Sequence, residues 1–286
     1  MSSAVQETTF RGLPAYHLRC GATEVTVSRF GAQVLSWWRP DTGDLLYLSP
    51  SAIFDGRRPI RGGIPVCFPQ FSDRGPLPAH GFARVQMWDP LRTDTTADAA
   101  VLVLRLSDTC STRARWPHSF EIFTTVTCTP GTLEVALHLT VPAREPLDIT
   151  CGLHTYLRVA GPAPHLAGLI HQRYTDAASA SPFEVHRDLE PTLPAVRPVD
   201  RIYTDAPPVV LTRSDRRLRI RSTGFPETIV WNPGPEGAQR STDLPRKAWR
   251  DLVCIEAAAT TPVRIDRDHP WRGSQSITVE QRPARP

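Results

Sequence analysis

Four short segments place polar or charged side chains where apolar strand patterns would otherwise continue. In Asp251-Leu252-Val253-Cys254-Ile255-Glu256-Ala257-Ala258, Glu256 is the lone acid in a run of apolar or small residues. Burial disfavours an ionised carboxylate and raises its pKa, so a buried glutamate is either paired or functional. A carboxylate tuned in this way suits general-base work. A strand-end glutamate reaching solvent would give the same local pattern. Asp148 to Val159 carries Ile149, Cys151, Leu153, Leu157 and Val159 on one face, and Thr150, Gly152, His154, Tyr156 and Arg158 on the other. An imidazole on the face away from the core can transfer a proton near neutral pH. It can equally be satisfied by a cross-strand hydrogen bond.

The other two segments are basic. Arg61 precedes Gly62-Gly63 and the apolar run Ile64-Pro65-Val66-Cys67-Phe68-Pro69. Paired glycines permit close backbone approach, which could set a guanidinium at the mouth of a pocket. The alternative is a tight turn into a strand with a solvated arginine. In Pro78-Ala79-His80-Gly81-Phe82-Ala83-Arg84, a histidine beside a glycine can approach a ligand, and Arg84 follows four residues on. Arg61 with Arg84 would suit a phosphate through bidentate, charge-assisted hydrogen bonds. On the bland reading, His80 caps a loop and Arg84 pairs with a surface acid such as Asp73 or Asp89. Asp200, after a Pro-rich loop, could accept hydrogen bonds from ligand hydroxyls, although alone it reads as a turn residue. The aromatic–proline corners at Trp116 and Trp231 carry no assignment, because such tryptophans commonly plug cores.

The elements that must hold these groups are strands. Leu133, Val135, Leu137, Leu139 and Val141 alternate with Glu134, His138 and Thr140, the period of a half-buried strand. Phe120 to Cys128 reads as its partner across a Thr129-Pro130-Gly131-Thr132 turn. Further strands are expected at 23–29, 32–38, 45–48, 101–107, 148–159, 208–213, 217–222, 227–231, 251–257, 263–266 and 275–281. Two short helices are expected near 48–54 and 243–249. Strands follow strands without the helix alternation of a parallel α/β fold. Alternation also continues on both sides of the Pro-rich stretches 161–165 and 191–198. The expectation is an all-β chain, a large antiparallel β-sandwich forming one domain over 1–286 with its core at about 23–282.

Composition agrees. Of 286 residues, 40% are hydrophobic and 22% charged, enough to pack a core. The 29 prolines are about twice the usual ~5% and argue against a helical bundle. The net charge is only +4, and nearly all the positive charge is arginine dispersed among acids, with Lys247 the single lysine. That does not make a nucleic-acid footprint. No apolar run reaches the ~18 residues of a membrane helix. Met1 to Arg19 lacks the apolar core of a signal peptide, so a cytoplasmic location is expected. The six cysteines are widely spaced and form no C-x-x-C pair. They read as small buried hydrophobes rather than disulfides or metal ligands.

Taken in order, R-G-G-I-P-V-C-F-P at 61–69, H-G-F-A-R at 80–84, L-H-T-Y-L-R-V at 153–159, V-D-R-I-Y at 199–203, V-W-N-P at 230–233 and V-C-I-E at 253–256 resemble the glucose-6-phosphate 1-epimerase (hexose-6-phosphate mutarotase) family of the aldose 1-epimerase superfamily. No one motif decides this; the ordered set is specific and runs from about residue 23 to the C-terminus. The resemblance implies a galactose mutarotase-like supersandwich, a monomer, a hexose 6-phosphate substrate, and interconversion of its α and β anomers with no cofactor or metal. It implies His154 as general acid, Glu256 as general base, Arg61 and Arg84 on the phosphate, Asp200 on sugar hydroxyls and His80 lining the pocket. Ala79 stands where some members have a glutamine, and the segment 234–250 reads as a variable loop over the site. The alternatives are an aldose 1-epimerase for unphosphorylated sugars and a non-catalytic carbohydrate-binding β-sandwich.

Overall fold

The computed structural model describes residues 3–142, 146–161, 163–181, 183–190, 192–194, 196–213 and 216–280. Three antiparallel sheets account for most of it. The first joins Ala4–Phe10, Leu13–Cys20, Thr23–Ser28, Val34–Arg39 and Gly43–Asp44 in chain order. The second has eight strands, running His165–Ala167, Val209–Thr212, Arg217–Thr223, Trp271–Glu280, Thr132–Thr140, Glu121–Cys128, Ala100–Ser107 and Asp89–Thr95. The third also has eight, with seven in sequence: His186–Arg187, Arg173–Asp176, Val199–Thr204, Glu227–Asn232, Leu252–Ile265, Leu147–Leu153 and Val66–Cys67. The eighth, Tyr156–Arg158, pairs with Leu252–Ile265.

The period-two pattern explains the sandwich. Leu133, Val135, Leu137 and Leu139 from the second sheet share one buried cluster with Ile149, Cys151, Leu153, Val253, Ile255, Ala257 and Ala259 from the third. Each strand thus spends one face on the common core, the largest favourable term in folding. Thr129-Pro130-Gly131-Thr132 makes the expected hairpin, with Leu133 opposite Cys128. Of the third sheet, the face turned away from this core is the one that carries Cys254 and Glu256.

Several boundaries differ from expectation. The stretches 251–257 and 263–266 are one strand of 14 residues, Leu252–Ile265. The expected 148–159 strand breaks at His154-Thr155, where His154 N–H turns to Pro65 O (3.0 Å) and Tyr156 N–H to Gly63 O (2.9 Å). No helix forms at 48–54: Leu48 bridges to Gly62, and Ser49 N–H bonds Arg61 O, holding the chain extended. Nor does an α-helix span 243–249, where the backbone bonds are of the i to i+3 kind, Ala248 N–H to Pro245 O (2.9 Å) and Arg250 N–H to Lys247 O (3.1 Å). The helix lies earlier, at Gly234–Arg240, with Pro235 tolerated in its first turn. Only a 3-10 turn, Ala248–Arg250, follows, entered through the exposed Lys247. Gln281, the last residue of the expected 275–281 strand, lies outside the described residues, as does the 281–282 end of the expected core. Strands absent from the sequence reading include Ala4–Phe10 and Asp89–Thr95, whose largely exposed residues leave no apolar alternation to detect.

Candidate active site

The site grows from the register of the third sheet. Tyr156 lies opposite Cys254, Cys254 opposite Trp231, and Trp231 opposite Asp200. One row of side chains therefore crosses four strands on the outer face. Two residues along, Glu256 lies opposite Ile229, which lies opposite Ile202. Glu256 thus falls between two small apolar clusters: one holds Tyr156, Leu244, Leu252 and Cys254, the other Phe71, Ile229 and Ala258. It is 2% exposed, and burial together with the nearby Asp200 pushes its carboxyl well above the ordinary range.

His154 reaches the same spot from the strand break. Its Nδ1 is 3.5 Å from Glu256 Oε1, and neither His154 Nδ1 nor Glu256 Oε2 has a hydrogen-bond partner. The ring stacks on Tyr156 (4.7 Å between centroids, 10° between planes) and meets the edges of Trp231 (5.8 Å) and His80 (5.2 Å). Burial, then the proximity of His80 and the positive charges of Arg61 and Arg84, holds this imidazole well below its usual range. From behind, Thr155 Oγ1 donates to Gln275 Oε1 (2.5 Å) while Gln275 Nε2 donates to Ile255 O (3.1 Å). A buried amide on the second sheet thereby braces the segments that carry His154 and Glu256.

Arg61 and Arg84 converge as the sequence suggested. Both line a cavity of about 150 Å³ with His154, Tyr156, Arg58 and Asp243. Gly63 is what lets Arg61 enter: its φ is +64°, and a Cβ there would sit 2.1 Å from Val34 O. Gly81 does the same beside His80 and Arg84, with φ +67° and Phe68 O 2.3 Å from the Cβ position. Arg61 Nε donates to Asp243 Oδ2 (3.1 Å) and Nη1 to Tyr156 OH (3.1 Å). Arg84 Nη2 donates to Ala79 O (2.6 Å), so the residue standing in the glutamine's place contributes its backbone. Burial lowers the Arg84 pKa. His80 does cap its loop, its Nδ1 accepting from Ser72 N–H (3.3 Å) and its backbone N–H donating to Ser72 O (2.8 Å). Its ring also faces His154, and burial with both arginines depresses its pKa to about 3. The pairing of Arg84 with a surface acid does not occur among the described residues.

Asp200 is nearby but in a neighbouring hollow of about 380 Å³, shared with Arg61, Trp231 and Arg240. Burial, then Asp176, raises its pKa to about 6. Sequence reasoning missed Trp231, Asp243, Arg58 and Gln275. Trp231 could have been found from its place opposite Cys254 and Asp200 once register was known. Asp243 offered no local signal, being in an irregular segment. One larger cleft, about 660 Å³, lies along the same sheet beside Asp73, Arg74 and Tyr174, apart from the proton-transfer pair. His154, Cys254 and Glu256 also bring one nitrogen, one sulfur and one oxygen within 4.8 Å of one another, a donor set able to hold a metal ion. The six cysteines are free thiols, and no helix among the described residues is long and apolar enough to cross a membrane.

Comparison with known proteins places the chain. The sequence profile of the family described as "Aldose 1-epimerase" matches residues 14–278. A protein from Cenchrus ciliaris is 31% identical over 265 residues (87% of this chain, 79% of the relative). One from Escherichia coli K12 is 30% identical over 258 residues (88% and 85%). Both bear the name "Putative glucose-6-phosphate 1-epimerase". The crystal structure of a "putative mutarotase" from Salmonella typhimurium superposes with TM-score 0.87 at 24% identity, covering 97% of this chain and 94% of that one. A "galactose mutarotase-like protein" from Clostridium acetobutylicum gives 0.79 at 14% identity, covering 98% and 99%. These likenesses show the fold: a galactose mutarotase-like antiparallel β-sandwich. The chain belongs to the aldose 1-epimerase family of isomerase-type enzymes.

Proposed function

We propose that the protein is a hexose-6-phosphate mutarotase that interconverts the α and β anomers of glucose 6-phosphate. The observation that carries this reading is the sharing of one small cavity by an unsatisfied His154 and the arginines Arg58, Arg61 and Arg84, with Glu256 3.5 Å from the imidazole. Anomer exchange requires removal of the C1 hydroxyl proton and protonation of the ring oxygen. The ring opens, the C1–C2 bond rotates, and closure reverses both transfers on the other face. Glu256 serves as base and His154 as acid, each worth roughly 10²–10⁴-fold.

Burial favours a neutral carboxyl on Glu256 and a neutral imidazole on His154. Passage of the carboxyl proton to His154 gives the carboxylate and imidazolium that the reaction uses, each stabilising the other. A phosphate dianion on Arg61 and Arg84 offsets the positive field that depresses His154, so the phosphorylated substrate itself favours the working protonation state. Asp200 and Trp231 offer a hydroxyl acceptor and a flat apolar ring to the sugar, and His80 lines its wall. The exposed edge strand Asp89–Thr95 carries Asp89, Pro90, Arg92 and Asp94, a composition that resists edge pairing and supports a monomer. The free thiols fit a reducing cytoplasm.

Exchange NMR on glucose 6-phosphate tests the reading. Saturation transfer between the two C1 protons should rise with enzyme, and should be far smaller for glucose and galactose. Equal acceleration of the free sugars would make the protein a general aldose 1-epimerase. No acceleration of any sugar would leave a carbohydrate-binding β-sandwich.

A further inference from the structure

Arg61 is held by two neighbouring side chains. Asp243 Oδ2 takes its Nε–H and Tyr156 OH takes one Nη1–H, both at 3.1 Å. A guanidinium has five N–H donors, and no other side-chain partner of Arg61 occurs among the described residues. Neither support is itself loose. Ser49 Oγ donates to Asp243 O (2.6 Å), and Leu244 and Ala248 of the same segment pack with Tyr47 and Tyr156. Tyr156 is 2% exposed, and its ring lies flat against His154.

We propose that Asp243 and Tyr156 are positioning residues for phosphate recognition, clamping Arg61 by two of its N–H groups and leaving the rest to the cavity it shares with Arg84. This inference rests on the hexose-phosphate reading and adds two residues to it. A free arginine side chain surrenders rotamer freedom when it grips an anion; one already held on both sides surrenders little. Because Tyr156 touches Arg61 with its hydroxyl and His154 with its ring, the clamp also fixes the spacing between the phosphate end and the proton-transfer end of the substrate.

Anomer exchange measured over a range of substrate concentrations tests the clamp. Asp243→Asn should raise KM for glucose 6-phosphate about three- to tenfold, the scale of one immobilised side chain, with kcat within about twofold. Asp243→Glu should recover part of that loss. Tyr156→Phe keeps the ring against His154 and should raise KM in the same direction. The double variant should be little worse than the poorer single one, since both act through Arg61. A fall in KM for Asp243→Asn would overturn the proposal by making the carboxylate a competitor of the phosphate. An unchanged KM in both single variants, or fully additive losses, would overturn it too. Wild-type protein that treats glucose and glucose 6-phosphate alike is a separate result, removing the phosphate reading itself. Thermal melts confirm folding, and Tyr156→Phe carries the test should Asp243→Asn fail to fold.

Discussion

The third sheet buries two polar clusters and settles them in opposite ways. Around Arg201, every charge meets its opposite. Nη1 reaches the Asp188 carboxylate (3.3 Å), the guanidinium sits 4.5 Å from the Tyr174 ring centre, and Nε, though without a hydrogen bond of its own, still lies 3.7 Å from Asp176 Oδ2. Tyr203 OH donates to Asp188 as well (2.7 Å). Around Glu256, the acid and the imidazole stand close but unbonded, each with an atom that nothing satisfies. A buried polar group without a partner costs about 1–3 kcal/mol. One cluster thus holds the structure together, and the other keeps donor and acceptor capacity for a substrate.

The comparison can be broken at its strongest point first. Glu256→Gln should reduce anomer exchange by roughly 10²–10⁴-fold while leaving thermal stability equal or higher, because a strained acid becomes a neutral amide. A large loss of stability with activity intact would reverse the roles assigned to the two clusters. Asp188→Ala is the mirror experiment. It takes the nearer carboxylate from the buried Arg201, leaving Asp176 at 3.7 Å, and should cost about 3 kcal/mol, read by urea denaturation, with turnover per folded molecule retained.

Asp200 links the clusters, since Asp176 of the paired group helps raise its pKa from 3.8 to about 6. A carboxyl raised on folding makes the native state hold more protons than the unfolded chain between those two values. Stability therefore falls as pH rises through that window. Asp200→Asn should remove the fall and raise the melting temperature above pH 6 by about 2–4 °C, equivalent to ~1 kcal/mol, while weakening sugar binding. The smallest effect calibrates the scale. Arg264→Ala breaks an exposed pair with Asp148 (3.6 Å) and should shift stability by less than about 0.5 kcal/mol.

Glu256, His154, Arg61, Arg84, His80 and Asp200 were legible because each sits inside a short motif whose neighbours set its environment. Alternation placed His154 on the face away from the core, Glu256 stood out as the lone acid in an apolar run, and the sheet register brought the two together. Asp243 was invisible since its partner, Arg61, is 182 residues away and no periodicity connects them. Ala4–Phe10 was missed for a related reason: it is held by pairing to Leu13–Cys20, and an edge strand with wet faces needs no apolar pattern. The misplaced helix at 48–54 has the same kind of cause: the bonds of Leu48 to Gly62 and of Ser49 to Arg61 decide that segment, and no local pattern announces them.

Lys247 gives the fold a practical consequence. It is the chain's single lysine, exposed, and four residues beyond Asp243. Apart from the terminal amine, an amine-directed dye or cross-linker has one place to attach, beside the segment that walls the small cavity. The scarcity of lysine has thus left a built-in labelling handle, one that could report the approach of an anion to Arg61 by fluorescence without introducing a cysteine or removing any of the six already present.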